Sequence, residues 1–91
     1  MHLDWSAAAW RDLARIWDHN SSYSDARAAR VEDRIIECVA SLLDFPYQGR
    51  PVRGATTRDL SIPDIQYLIR YQPDEQGVSI VRVWSIAERR A

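Results

Sequence analysis

Residues 65–86 read IQYLIRYQPDEQGVSIVRVWSI, and this stretch decides the fold. Apolar residues recur at every second position on both sides of residues 73–77, a short segment with a Pro, an Asp and a Gly. That pattern is typical of two β-strands joined by an antiparallel hairpin turn. We predict strands at Ile65–Tyr71 and Val78–Ile86, and the second, which is apolar on both faces, has the pattern of a central strand.

A third strand precedes this hairpin. Thr56–Ile62 has the same two-residue period, and only Pro63-Asp64 separates it from the next strand, which is short enough for another antiparallel turn. Residues 46–55 contain two Pro and two Gly, so we interpret them as a loop. The C-terminal half of the chain is therefore predicted to form a three-stranded antiparallel meander.

The N-terminal half carries the period of two amphipathic helices. The first helix is predicted to begin after Ser6, an N-cap residue, and to run to about His19. The second is predicted to be capped by Ser22 or Ser24 and to end before Pro46, because the residue preceding a proline avoids helical geometry. The expected core residues of the first helix are Ala9, Leu13, Ile16 and Trp17, and those of the second are Ala28, Val31, Ile35, Val39 and Leu42. The charged residues of the first helix are expected on its other faces; they are Arg11, Asp12, Arg15 and Asp18.

The elements add up to one α+β domain over residues 1–91. His2–Trp5 is a short candidate strand that we expect to complete the sheet, which gives the order β-α-α-β-β-β with both helices on one face. A chain of 91 residues with 46% hydrophobic and 27% charged residues fits a single small core. No apolar run is long enough to span a membrane, and the N-terminus lacks the cationic and apolar regions of a signal peptide, so we expect a cytoplasmic protein without membrane contacts.

The sequence offers little for catalysis or metal binding. Cys38 is the single cysteine, and the two histidines, His2 and His19, lie at the ends of unrelated elements. None of the common zinc, nucleotide or phosphate-loop motifs is present. We therefore predict no catalytic residue, no metal and no cofactor, although a triad that converges only in the fold is not ruled out by spacing.

Arginine is the residue type that we expect to carry function. All twelve basic residues are Arg, and residues 49–91 hold seven of them against five acidic residues, whereas residues 1–48 hold five against eight. The planar guanidinium fork suits phosphates and carboxylates on a partner. The predicted target-binding residues are Arg50, Arg53 and Arg58, the pair Arg89 and Arg90, and Trp84, which lies near Arg82 in the last strand. The net charge of −1 and the pI near 6.1 argue against broad nucleic-acid binding. We also predict no direct sequence-specific binding of nucleic acid.

Five segments, in order, resemble the toxins of the RelE/ParE superfamily. Residues 3–16 (LDWSAAAWRDLARI) are similar to the opening strand and helix of these toxins. Residues 45–51 (FPYQGRP) and 57–60 (TRDL) resemble the Gly-Arg-Pro loop and the Arg-acid-Leu strand of ParE members. Residues 67–71 (YLIRY) and 78–84 (VSIVRVW) match the two closing strands in character and spacing. The resemblance covers nearly the whole chain.

The resemblance implies a curved, mostly antiparallel sheet backed by a helical hairpin, and an antitoxin chain that wraps around it. RelE-like members are ribosome-dependent ribonucleases that cleave mRNA, whereas ParE-like members inhibit DNA gyrase without an established hydrolytic reaction. This chain has no Lys, and Leu68 occupies the position of an Arg in the RelE-like strand, while Arg89 matches the late Arg of that pattern. We interpret the chain as a ParE-like, gyrase-inhibiting binding protein rather than an enzyme, with a ribonuclease as the alternative. A degenerate, non-toxic member is the third reading, because Trp84-Ser85 stands where many relatives carry a His.

The distribution of aromatic residues predicts a protein partner. Of nine aromatic residues, five precede residue 46, which is more than a single helical hairpin easily hides. These five are Trp5, Trp10, Trp17, Tyr23 and Phe45. We expect an amphipathic helix of the cognate antitoxin to cover such a surface and to form a toxin–antitoxin hetero-oligomer.

Overall fold

The computed structural model describes residues 2–87 and contains two helices and five strands. In chain order these elements are β1 (His2–Trp5), α1 (Ala7–Ser21), α2 (Asp25–Asp44), β2 (Arg50–Pro51), β3 (Arg58–Ile62), β4 (Tyr67–Asp74) and β5 (Gly77–Ser85). The α+β class and the predicted element order are confirmed, with one additional strand, β2, inside the segment that we interpreted as a loop. None of the described helices is long and apolar enough to cross a membrane.

Both helices begin at serine N-caps, as the sequence predicts. Ser6 Oγ accepts the N–H of Ala9 at 2.9 Å, and Ser24 Oγ accepts the N–H of Arg27 at 3.0 Å. These bonds satisfy backbone donors that have no partner within the helix. The second helix ends at Asp44, before Pro46, and the first runs two residues beyond the predicted His19.

The five strands form one sheet in the order β1-β5-β4-β3-β2. β1 pairs with β5 in parallel, and every other neighbouring pair of strands is antiparallel. β5 therefore lies between β1 and β4, which confirms the prediction that the last strand is central and that the N-terminal strand completes the sheet.

The turns differ from the predicted ones. β4 begins at Tyr67 rather than Ile65, because the preceding residues form the β3–β4 turn, in which Gln66 adopts a positive φ of 64°. The β4–β5 hairpin is tighter than predicted, since the strands continue to Asp74 and resume at Gly77. Asp74 Oδ1 accepts the N–H of Gly77 at 2.9 Å and closes this turn.

A β-bulge in β5 sets which residues face the helices. Arg70 pairs with Arg82 but Tyr71 pairs with Ile80, so Val81 is an extra residue without a partner in β4. Such a bulge shifts the alternation of side chains along the strand. Ile80 and, beyond the bulge, Val83 consequently both enter the core, while Arg82 lies on the opposite side of the sheet.

The core lies between the helical hairpin and one face of the sheet. Ile35 and Leu42 from α2 and Ile69 and Ile80 from the sheet are fully buried in one continuous cluster. The face of the sheet that is turned away from the helices is called the outer face below. Because side chains alternate along a strand, it carries Arg70 from β4.

Candidate target-binding face

A row of charged residues crosses the outer face. Strand register places Arg50 opposite Asp59, Asp59 opposite Arg70, and Arg70 opposite Arg82. Directly opposed residues of neighbouring strands share a face, so each of the strands β2 to β5 contributes one side chain to this row. Three guanidinium groups and one carboxylate give the row a positive charge.

The centre of the row is a two-pronged ion pair between β4 and β3. Arg70 Nε and Nη2 donate to the two carboxylate oxygens of Asp59 at 2.8 and 2.9 Å. Both side chains are about four-fifths buried. The hydrogen bonds to Asp59 raise the pKa of the Arg70 guanidinium. The bidentate geometry fixes the orientation of Arg70 on the face.

The β5 end of the row is held by a buried carboxylate from α1. Asp12 is 3% exposed, and it accepts from Arg82 at 2.7 and 3.0 Å, from the Val83 N–H at 2.9 Å and from Arg15 at 3.1 Å. Burial alone would raise the pKa of the Asp12 carboxyl, but the hydrogen bonds from Arg82, Val83 and Arg15 together lower it. Asp12 was expected outside the apolar stripe of α1, and the structure shows that it is nevertheless buried.

Asp12 also accepts a backbone hydrogen bond from β5, in the part of β5 that β1 does not reach. The pairing of β1 stops at Ile80, so the next residues of β5 have no strand on that side. Ser6 Oγ donates to the Val81 carbonyl at 2.8 Å, and Asp12 accepts the Val83 N–H. Side chains from the start of α1 thus take the place of a neighbouring strand, as buried or partly buried backbone groups require.

Trp84 completes the outer face next to the row. Its ring lies 5.0 Å from the guanidinium carbons of both Arg70 and Arg82. Cations at this distance from an indole ring are attracted by its negative face. Leu68, which pairs with Trp84 across the strands, is buried and occupies the aliphatic position that distinguishes this strand from the RelE-like pattern.

The structure brings two of the six predicted target-binding residues together on the outer face. Arg50 lies exposed at the edge of the row, beside a depression of about 450 Å³ that Asp59 and Leu68 also line, and Trp84 lies on β5. Arg53 is exposed in the turn after β2. Arg89 and Arg90 lie outside the described residues.

Arg58 has a different environment from the other predicted residues. Its Nη1 donates to the carbonyl oxygens of Gly49 at 2.8 Å and Tyr47 at 3.3 Å, and its guanidinium lies 4.9 Å from the centre of the Tyr47 ring. In β3 it pairs with Tyr71, whose buried hydroxyl accepts the Gly49 N–H and donates to the Pro46 carbonyl, both at 2.8 Å. These contacts fix the loop before β2.

Sequence reasoning did not single out Arg70 and Arg82, or the two carboxylates that hold them. Both arginines stand at polar positions of alternating strands, so the two-residue period could have placed them on one face with Trp84. The pairing of Arg82 with Asp12 had no such signal, because the two residues are 70 positions apart.

A second surface lies between the two helices, and we call it the aromatic groove. It has a volume of about 310 Å³ and is lined by Trp10, Leu13, Ala14, Trp17, Asp18 and Glu32. Trp10 is 53% exposed although its ring stacks on Trp5 at 4.7 Å between centroids. A large exposed aromatic in an apolar groove is typical of a surface that a partner covers.

Among residues 2–87 no group of three or more His, Cys, Asp or Glu side chains could hold a metal ion.

A helical hairpin packed on one face of a mostly antiparallel sheet agrees with the class of small α+β toxin domains that the sequence resembles. The family model described as ParE toxin of type II toxin-antitoxin system, parDE, matches residues 3–90. The chain therefore belongs to the ParE toxin family, and the predicted family membership is confirmed.

Two individual proteins are similar to this chain. A putative toxin, Y4kP, from Sinorhizobium fredii is 38% identical over 70 residues, which cover 77% of this chain and 73% of that protein. A solved structure described as a chromosomal ParDE TA system from P. aeruginosa superposes with a TM-score of 0.82 at 24% identity and covers 93% of this chain and 95% of its own. At that identity the structural likeness concerns the fold.

Proposed function

We propose that this chain, over residues 1–91, acts in the cytoplasm as the toxin of a type II toxin–antitoxin pair, inhibits DNA gyrase, and is neutralised by a cognate antitoxin. The observation that carries the proposal is membership of the ParE toxin family over residues 3–90. The two surfaces described above give the proposal its physical content. The aromatic groove would bind the antitoxin, and the outer face would contact the target.

The aromatic groove has the properties that an antitoxin helix requires. Trp10 and Trp17 follow each other at i, i+7 on α1, and Glu32 lines the facing side from α2. Ile36 and Leu43 lie on the same face of α2 as Glu32, at i+4 and i+11 from it, and Ile36 is exposed. An amphipathic helix with anchors at i, i+3, i+4 and i+7 fits a groove of this kind. Full burial of one such aromatic contributes roughly 1.5–3 kcal/mol.

The antitoxin part of the proposal is tested by co-purification with the product of an adjacent short reading frame. A change of Trp10→Glu in the groove should weaken the complex at least tenfold, which corresponds to about 1.4 kcal/mol. The matched control is Tyr23→Glu, which replaces an aromatic residue that is also exposed, at 64%, but lies outside the groove. Equal effects of the two changes, or a stable complex with the Trp10 variant, would place the antitoxin elsewhere.

The outer face supports a binding role rather than hydrolysis. Asp59 on the outer face is held in bidentate contact by Arg70, and Asp12 from α1 is held in the same way by Arg82 at the β5 end of the row. A carboxylate held in this way accepts hydrogen bonds from fixed cations and is poorly suited to take a proton from a substrate. With no Lys in the chain and Leu68 in place of an Arg, the ribonuclease alternative has less support than gyrase inhibition.

Of the six predicted target contacts, Arg50 at the edge of this face and the C-terminal pair Arg89 and Arg90 are the ones that we propose to test first. Hydrogen bonds to charged groups are worth about 1.5–3 kcal/mol each when well formed. Replacing Arg89 and Arg90 together by Ala, or Arg50 by Ala, should therefore raise the concentration needed for half inhibition of gyrase at least tenfold while antitoxin binding persists. Arg11→Ala, at an exposed position of α1, is the control that should leave both unchanged. Wild-type inhibition by all variants would reject these residues as the target site.

A further inference from the structure

A second, polar cavity lies on the other flank of α2. It is an open cavity of about 330 Å³, bordered by the end of α1, the first turns of α2, the β3–β4 turn and the end of β5. Its lining includes His19, Arg27, Arg30, Gln66, Tyr67 and Ser85. Arg30 is two positions from Glu32 of the aromatic groove, so the two side chains leave the helix in nearly opposite directions. The cavity is thus separate from both surfaces used in the proposed function.

Arg27 is held in a fixed orientation at the wall of this cavity. Its Nε donates to Asn20 Oδ1 at 3.0 Å, and its guanidinium lies 4.2 Å over the Tyr23 ring. Asn20 is 2% exposed, and its Nδ2 donates to the Ile16 carbonyl at 2.8 Å and to the Tyr67 hydroxyl at 3.1 Å. Because a buried amide with three partners cannot rotate freely, it positions Arg27, whose terminal nitrogens have no acceptor within residues 2–87.

A second arginine, Arg30, lies beside Arg27 and has no acidic partner among the described residues. Arg30 is three positions further along α2, where side chains are neighbours, and it makes no hydrogen bond or ion pair in the described part of the chain. The acidic residue in the lining is Asp64, and Arg34 already binds it through Nε at 2.9 Å and Nη2 at 3.4 Å. The two arginines against Asp64 leave the lining with a net positive charge, and like charges at the spacing of Arg27 and Arg30 destabilise a helix unless an anion joins them.

We propose that this cavity is a binding site for a phosphate group, held by the terminal nitrogens of Arg27 and Arg30. A phosphate carries a charge of about −1.5 to −2 at neutral pH, so one group neutralises both guanidiniums, whereas a carboxylate neutralises one. The guanidinium fork matches phosphate oxygens, and the location in the first turns of α2 adds the positive end of the helix dipole. The Ser85 and His19 side chains lie in the same wall.

The test is a titration of the isotope-labelled full chain with inorganic phosphate at constant ionic strength, followed through the side-chain Nε–H signals of Arg27 and Arg30. The expected result is a saturable shift of both signals. Arg30→Gln should weaken binding at least tenfold, and it should fold normally because the Arg30 side chain has no described partner. Arg27→Gln should have a similar effect, whereas Arg11→Gln on the exposed side of α1 is the control that should bind phosphate like the wild type.

Two further ligands sharpen the result. Acetate should bind at least tenfold more weakly than phosphate. Adenosine monophosphate is the second ligand: tighter binding than that of inorganic phosphate would identify a nucleotide as the better ligand, and equal binding would identify a simple phosphate. Either of these two results supports the site. Shifts that grow linearly without saturation overturn the proposal. So does equal affinity for acetate, unchanged phosphate binding by the Arg30 variant, or an equal loss in the Arg11 control.

Discussion

The buried carboxylate of Asp12 should be the most sensitive polar position of the fold. Replacing it by Ala leaves the buried Val83 N–H without an acceptor, which costs about 1–3 kcal/mol. The lost contacts with Arg82 add roughly 1 kcal/mol, a value reduced because that arginine side chain is 38% exposed and can be hydrated. We therefore expect Asp12→Ala to lower the free energy of unfolding by about 2–4 kcal/mol.

Urea unfolding followed by tryptophan fluorescence measures this change, because the midpoint shifts while the slope stays constant if only stability is affected. Asp18→Ala is the matched control, since Asp18 is an exposed acid on the same helix and its replacement should cost less than about 0.5 kcal/mol. Asp12→Asn should lie between the two, because its amide oxygen can still accept the Val83 N–H. A loss below about 0.5 kcal/mol for Asp12→Ala would refute the reasoning that this carboxylate substitutes for a neighbouring strand.

Three other changes have defined outcomes. The pKa of Asp12 is lowered in the fold, so its contribution is complete above the ordinary value of 3.8 and is lost as the pH falls through the folded-state value; the stability difference between wild type and Asp12→Asn should therefore shrink in acid unfolding profiles below pH 3.8. Tyr71→Phe should lower the free energy of unfolding by about 1–3 kcal/mol, because the buried Gly49 N–H loses its acceptor, and an unchanged urea midpoint would contradict this. Gly77→Ala should cost more than about 2 kcal/mol and abolish hydrogen-exchange protection of β1, since the added Cβ would lie 1.8 Å from the His2 carbonyl oxygen at a φ of +154°. Retained protection would contradict this, because it would show that β1 stays paired with β5 despite the added Cβ.

The sequence was sufficient for the elements whose residues repeat with a clear period. Both helices follow from apolar stripes and serine caps, and the central position of β5 follows from an apolar residue pattern on both of its faces. β2 was missed because Arg50–Pro51 is too short to show any period and contains a proline, which is unusual inside a sheet. The bulge at Val81 is equally invisible, since it is defined by the register with β4 and not by the residues around it.

The candidate site was only partly predictable for the same reason. Exposed arginines and a tryptophan could be selected by chemistry, and Arg50 and Trp84 lie on the outer face as such a selection requires. The ion pair between the buried Asp12 and the partly exposed Arg82 depends on two distant segments meeting, and nothing in the local pattern of α1 distinguishes Asp12 from a solvated acid. Arg27 and Arg30 lie on an exposed, charged face of α2, and the sequence alone does not show that they border one cavity.

The central claim, that this chain is a gyrase-inhibiting toxin, is tested most directly by a supercoiling assay. Purified chain is added to DNA gyrase, relaxed plasmid and ATP, with and without the protein encoded by the adjacent reading frame. The account predicts that the chain blocks supercoiling in a concentration-dependent way and that the antitoxin restores it. Full supercoiling in the presence of a large molar excess of correctly folded chain would contradict the account.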